Sequence, residues 1–393
     1  MSSLHYIIIS EISRIGDFQI SSPQVSNTKI FSLNPRLLIL SYSNSSSEIL
    51  SITLKCTEKD SDSLLKLINI NIPYDSIHED KERFQKTFRF ENSNKEDSEL
   101  ILEFVHSNPH RYFSKSAKNL TNFKNEKNID LIKNGKANLK FKDIFIIGHR
   151  GFGGNYYTQK YLENTIPSFQ AAFEKGADFV ECDVQLTKDD IPVVIHNNKY
   201  NEKDISEYTS DEFIKLGLST QYKVKFSTYK KLLRTLPKDR KLDVEIKVKW
   251  DEFYDRNHLV NRVLDVTYKY NYHKLFFCTF DPIIAAITAL RQKTYNVFLL
   301  LHDPSSNSVN YYNPLFKYCG VKGYIINSPN LLQYPVHSKE IISNGFMLMS
   351  WGKSNLQRDT LLEQIKIGVR GFVTDDVEIT SNLINDIANT NSI

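Results

Sequence analysis

A chain of 393 residues, 40% hydrophobic and 24% charged, has the composition of an ordinary globular protein and the length for more than one domain. Its net charge of +4 argues against a nucleic-acid footprint and against a polybasic membrane patch. No run of about 18 apolar residues occurs, so no transmembrane helix is expected, and the start, MSSLHYIIISEISRIGD, lacks the basic and long apolar regions of a secretory signal.

Residues 1–112 read as short strands rich in β-branched and aromatic residues: HYIIIS, RLLILSYS, ILSITLKC, LLKLININI, RFQKTFRF and ELILEFVH. Turn-forming clusters such as SNSSSE, ENSNKEDSE and SNPH separate them. This spacing predicts an antiparallel β-sandwich domain. Its histidines (His5, His78, His106, His110) are scattered, and its aromatics (Tyr6, Phe18, Phe31, Tyr42, Tyr74, Phe84, Phe88, Phe90) read first as core. Residues 113–140 lose the strand pattern, are rich in Lys and Asn, and read as a linker. The four cysteines (Cys56, Cys182, Cys278, Cys319) lie far apart without a C-x-x-C pair. That argues against a disulfide framework or a zinc site and for a reducing compartment, the cytosol.

From 141 to 393 apolar runs alternate with amphipathic helical windows, the signature of parallel βα units. The runs are IFIIG (144–148), DFVECDV (178–184), PVVIH (192–196), KLDVEIKV (241–248), LFFCTF (275–280), NVFLLL (296–301), GYIIN (323–327), FMLMSW (346–351) and GFVTD (371–375). Nine runs are one more than a TIM (β/α)₈ barrel takes. Only TKDDI separates the second from the third, too short for a parallel crossover, so these two form a β-hairpin. Eight parallel strands remain. Closure into a barrel is the expected arrangement, and an open α/β sheet the alternative.

A barrel of this kind carries its active site at the C-terminal strand ends. There the sequence places His149 and Arg150, then Glu181 and Asp183 two residues apart on one face, then His196 on the returning hairpin. Glu245 and Lys247 follow on the next strand, Trp351 ends a later one, and Asp375 and Asp376 close the last. One buried Glu in an apolar strand is ordinarily an end residue. Three converging carboxylates repel unless a cation sits between them. A hard divalent cation with oxygen ligands, Mg²⁺ or Ca²⁺, fits better than zinc. Arg150 and Lys247 beside such a cation imply an anionic substrate, and phosphate suits a guanidinium fork. His149 and His196 suit general acid and base work. Together they read as metal-assisted cleavage of a phosphodiester.

The segments GHRG, ENTIPSFQAAFEKGADFVECDVQLTKDDIPVVIHN, LDVEIK, TFDP and GFVTDD, in this order over 144–376, resemble the glycerophosphodiester phosphodiesterase family. The stretch HRGFGGNYYTQKYLENT resembles the eukaryotic intracellular subgroup that acts on glycerophosphocholine, whose N-terminal domains are starch-binding or C2-like. The resemblance implies His149 and His196 as the acid/base pair, Arg150 and Lys247 as phosphate contacts, Glu181, Asp183 and Glu245 as metal ligands, and Trp351 on the glycerol side. It implies glycerol 3-phosphate and an alcohol as products, by way of a cyclic phosphate. Two positions depart from the family pattern: Asn197 stands where an Asp follows the histidine, and WGKSN puts Ser354 at the expected Asn position with Asn355 one later. A lysophospholipase D activity, or a binding protein retaining the barrel, is the alternative function. For the N-terminal domain the readings are glycan contact, lipid or partner contact, or a stabilising module.

Overall fold

The computed structural model of the chain describes the backbone of eight strands between residues 4 and 107, and residues 144–153, 160–248, 256–303, 312–313, 316–317 and 319–390. The side chains of the N-terminal aromatics and histidines, the linker 113–140 and the loop 154–159 lie outside the described residues.

The N-terminal strands are β1 (Leu4–Ile15), β2 (Phe18–Val25), β3 (Lys29–Asn34), β4 (Leu37–Ser43), β5 (Leu50–Glu58), β6 (Leu64–Ile72), β7 (Arg83–Glu91) and β8 (Asp97–Ser107). One sheet has the order β3-β4-β1-β8-β7 and the other β2-β5-β6, with every pairing antiparallel, as expected of a sandwich. All six expected strands are present, and β2 and β3 add to them. Pro23 sits in β2 because β2 is an edge strand whose register shifts between Ser21 and Gln24, where a missing N–H costs no ladder bond.

The second unit is a barrel. Its first strands are β9 (Phe145–Gly148), β10 (Phe179–Leu186) and β11 (Pro192–Val194). A small hairpin follows, β12 (Lys199–Tyr200) with β13 (Lys203–Asp204), and then β14 (Ser227–Thr228). The remaining strands are β15 (Lys241–Ile246), β16 (Leu275–Thr279), β17 (Val297–Leu301), β18 (Gly323–Asn327), β19 (Met347–Trp351) and β20 (Gly371–Thr374). Among the described residues β9, β10 and β15 to β20 pair in parallel, and β20 returns to β9, so the sheet is closed. The open-sheet alternative is thereby excluded. β11 runs antiparallel to β10, with Val184 opposite Val194. The short TKDDI connection does form the expected hairpin.

Each barrel strand is buried on both faces, which explains its near-continuous apolar sequence. In β10 the residues Val180, Cys182 and Val184 are fully buried on one face, while Phe179, Glu181 and Asp183 alternate with them onto the other. The interior is apolar low in the barrel, where Phe179, Phe276, Phe298 and Ile325 meet, and polar toward the strand ends. A satellite core of Leu162, Val193, Ile195, Ile205, Phe213 and Phe226 sits beside the hairpin. It joins Leu162 and β11 to the insertion between β11 and β15, whose helix Ser210–Leu216 starts at a capping box formed by Thr209 and Glu212. Among the described residues no helix is long and apolar enough to cross a membrane.

Candidate active site

The turn after β9 fixes the first two site residues. Gly151 has φ +93°, and its N–H closes the turn on the Gly148 carbonyl at 3.1 Å. A Cβ there would lie 2.4 Å from Ser168 Oγ, so only glycine fits. Arg150 is itself left-handed at φ 53°, uncommon for its type. Its N–H donates to Glu181 Oε2 at 2.8 Å, and its carbonyl accepts from the Asn164 N–H at 2.9 Å. Its guanidinium is forked onto Glu163, with Nη1 3.1 and 3.0 Å from the two carboxylate oxygens.

Glu181, Asp183 and Glu245 come together as expected. One carboxylate oxygen from each lies within 4.8 Å of the others, and all three side chains are buried. Asn164 grips Asp183 twice: its Nδ2 donates to Oδ2 at 2.7 Å, and its Oδ1 accepts from the Asp183 N–H at 3.1 Å. Lys247 Nζ is 3.3 Å from Asp183 and 2.8 Å from Glu245. Burial alone would raise the Asp183 pKa, but Lys247 and Arg150 hold it well below the usual carboxylate range. Glu181 goes the other way: burial, then repulsion from Asp183, Glu245 and Asp243, pushes its carboxyl well up. Burial also raises Glu245, against the pull of Lys247. Glu181 Oε1 is buried with no hydrogen-bond partner. Three converging buried carboxylates, two of them raised in pKa by burial and repulsion and one with an oxygen unsatisfied, are the donor set a hard divalent cation needs. The residues present therefore fit Mg²⁺ or Ca²⁺.

The two histidines are oriented from behind. His149 Nδ1 lies 2.6 Å from Asp375 Oδ1, and His196 Nδ1 lies 2.9 Å from Asn197 Oδ1. In each ring this leaves Nε2 without a protein partner among the described residues. Asn197 thus keeps the acceptor that an aspartate would supply, without its charge. Burial lowers the His196 pKa, so its neutral form prevails near pH 7. The hairpin backbone that carries His196 is held by Gln185, whose Nε2 donates to the carbonyls of Ile195 at 2.9 Å and Asn197 at 3.0 Å.

These groups surround one cavity of about 480 Å³. His149, Arg150, Glu181, His196, Glu245, Lys247 and Trp351 line it, and Asp183 lies behind them, 1% exposed. The opposite wall is aromatic: His302 stacks on Phe280 at 4.9 Å, and both meet Trp351 edge to face, at 5.0 and 6.0 Å. The Trp351 indole N–H is tied to the Leu301 carbonyl at 3.2 Å. Asn355 is fully buried away from this wall, where it accepts from Ser350 and Gln364 and donates to the Val373 carbonyl at 2.9 Å. It ties β19 to β20 instead of facing the cavity.

Glu163, Asn164 and Asp243 are site residues the sequence reading did not single out, and Asp375 was noted only as a strand-end carboxylate. The ENT triplet before the helix Ile166–Glu174 was the available signal for the first two.

Known proteins share this fold and much of this sequence pattern. The model of the glycerophosphoryl diester phosphodiesterase family matches residues 149–379. A glycerophosphodiester phosphodiesterase of Arabidopsis thaliana is 27% identical over 281 residues, covering 59% of this chain and 75% of its own length. The glycerophosphocholine phosphodiesterase of Homo sapiens is 25% identical over 291 residues, covering 59% of this chain but only 43% of its own length. Among solved structures, a glycerophosphodiester phosphodiesterase from Parabacteroides distasonis superposes with TM-score 0.53 at 22% identity, over 62% of this chain and 98% of that one. A phosphodiesterase from Oleispira antarctica, solved with the product sn-glycerol-3-phosphate, superposes with TM-score 0.51 at 16% identity, over 62% of this chain and 98% of that one. The family match starts at His149, runs through every residue that lines the cavity and spans well over half of the chain: this protein belongs to the glycerophosphoryl diester phosphodiesterase family, a family of phosphoric diester hydrolases.

Proposed function

We propose that this chain cleaves glycerophosphodiesters, glycerophosphocholine among them, by divalent-cation-dependent acid/base catalysis in the cavity at the strand ends. The observation that carries the reading is the convergence of two oriented histidines, three buried carboxylates, Arg150 and Lys247 on that cavity. Glu181, Asp183 and Glu245 would hold Mg²⁺ or Ca²⁺, which when bound supplies Lewis-acid stabilisation of charge on the phosphoryl oxygens. Arg150 and Lys247 bind the phosphate, the first kept in place by its fork to Glu163. One imidazole takes the proton of the substrate's own glycerol hydroxyl as that oxygen attacks phosphorus. The other gives a proton to the departing alcohol oxygen, leaving a cyclic phosphate. Water then opens the ring with the two roles exchanged, yielding glycerol 3-phosphate. The wall of Phe280, His302 and Trp351 excludes water on the glycerol side. The glycerophosphocholine assignment draws support from the human relative.

Residues 1–112 are proposed as a separate module with glycan or lipid contact as candidate roles, 113–140 as its linker and 141–393 as the catalytic domain. Cys182, Cys278 and Cys319 are buried and not in disulfides, which supports a reducing, cytoplasmic setting. The decisive experiment, in Mg²⁺, Ca²⁺ and EDTA, follows glycerol 3-phosphate release from a panel of glycerophosphodiesters and the release of choline and lysophosphatidic acid from lysophosphatidylcholine. Release from the small diesters that is lost in EDTA, in His149→Ala and in Glu245→Ala supports the reading. Full activity in EDTA or in either variant sinks it, and a preference for the lysolipid turns it into a lysophospholipase D.

A further inference from the structure

The barrel holds one carboxylate that the proposed reaction leaves without a role. Asp243 lies on β15 two residues before Glu245, so both point into the barrel, one layer apart. In the parallel register Asp243 stands opposite Glu181, as Glu245 stands opposite Asp183. The Asp243 side chain is 1% exposed and lines the same cavity. Neither of its oxygens has a hydrogen-bond partner of good geometry, and Oε1 of the facing Glu181 has none either. The thiol of Cys278 approaches it, but a thiol is a weak donor. Among the described residues no cationic side chain pairs with it. Arg150 is engaged by Glu163 and Asp183, and Lys247 by Glu245 and Asp183.

A buried carboxylate met only by a weak thiol donor, with no counter-charge, is strongly unfavourable. The apolar neighbours in this interior, Phe276, Phe298 and Ile325, show what a position kept for packing holds. Asp243 therefore has a partner that the polypeptide does not provide. We propose that Asp243 is a fourth acidic group of the cation site, set opposite Glu181 and two residues before Glu245 on β15, and that it raises the affinity of the site for a hard divalent cation. Only the other three offer oxygens within 4.8 Å of one another, so Asp243 is an outer member of the set and not one of its direct ligands. The inference rests on the divalent cation of the proposed function.

The test is calorimetric titration of the full chain with Mg²⁺ and with Ca²⁺, comparing the parent with Asp243→Asn and, should that variant fold poorly, Asp243→Ser. Cys278→Ala, which removes the neighbouring thiol, serves as a packing control. Loss of an outer-shell group typically weakens metal binding about 10- to 100-fold. The expected result is at least a tenfold weaker affinity in the Asp243 variants, an affinity within about twofold of the parent in Cys278→Ala, and no fall in the melting temperature of Asp243→Asn in EDTA. Parent-like affinity in both Asp243 variants overturns the inference while leaving the proposed function standing. So does an equal loss in Cys278→Ala, which would trace the effect to packing. Absence of cation binding in the parent overturns the proposed function itself.

Discussion

In the proposed reaction Asp375 acts through His149. A 2.6 Å contact to Nδ1 fixes the ring orientation and keeps Nε2 toward the cavity. Asp375→Asn keeps an oxygen there but removes the charge that stabilises the imidazolium formed during proton transfer. We expect kcat for glycerol 3-phosphate release to fall about 10²-fold with KM changed less than threefold. A rise in KM at unchanged kcat would instead place Asp375 in substrate binding. Asn164 has the complementary role on Asp183. Asn164→Ala strands a buried carboxylate oxygen and a backbone N–H, at a cost of about 1–3 kcal/mol in chemical denaturation. The difference in legibility between these residues is physical. Glu181 and Asp183 are visible in sequence because a strand's two-residue period alone puts them on one face. Asn164 and Glu163 sit on a loop, and only the folded path of that loop brings them against β10 and Arg150. Asn355 misleads for the same reason: Gly352 at φ 115° starts a tight turn that aims it into the β19–β20 seam.

The hairpin of β10 and β11 is the element that makes the site two-sided. The short TKDDI connection made the hairpin legible, and His196 at its end with it. Its support was not legible, because the satellite core joins Leu162, Val193, Phe213 and Phe226 from four separate segments. Gln185 connects this support to the chemistry by holding the carbonyls on both sides of His196. Gln185→Leu fills the same volume without the donors, so two carbonyls lose their partner. We expect kcat to drop about tenfold or more at small cost in melting temperature, since misplacement of a catalytic group by about 1 Å is enough for such a loss. Parent-like kcat in a folded Gln185→Leu would show that β11 and the satellite core hold His196 unaided. On the other side of the site, Gly151→Ala forces a side chain into Ser168 at a left-handed φ. It is expected to lower stability by about 1–3 kcal/mol and to displace the His149–Arg150 turn.

At the scale of the whole barrel, closure concentrates acid groups inside a wall that shields them from water. Pairing of β20 with β9 brings Asp375 to His149, while β10 and β15 side by side stack Glu181 on Asp243 and Asp183 beside Glu245. This sets the pH dependence of stability when no cation is bound. Burial holds Glu181 and Glu245 above their ordinary value of 4.5 and Asp243 above 3.8. For groups raised in the folded state, the folded protein binds more protons than the unfolded chain, so stability falls as pH rises. Their contribution is complete below about pH 4 and is lost as pH climbs through the raised values. Asp183 has the opposite sign, because Lys247 and Arg150 depress it, and its contribution is lost only at strongly acid pH. Three raised carboxylates against one depressed one favour weakening of the cation-free protein from pH 5 toward pH 8, opposed below about pH 6.5 by the depressed His196. Each pKa unit corresponds to about 1.4 kcal/mol. The divalent cation of the proposed function would bind the ionised carboxylates and reverse the trend, by about 2.7 kcal/mol at a hundredfold excess over Kd. Melting curves in EDTA and in saturating Mg²⁺ or Ca²⁺ at pH 5 and pH 8 test this directly. The cation-induced rise in melting temperature is expected to be several degrees larger at pH 8. An EDTA melting temperature that stays flat or climbs over this interval would mean that the four carboxylates are compensated from within the protein and need no ion.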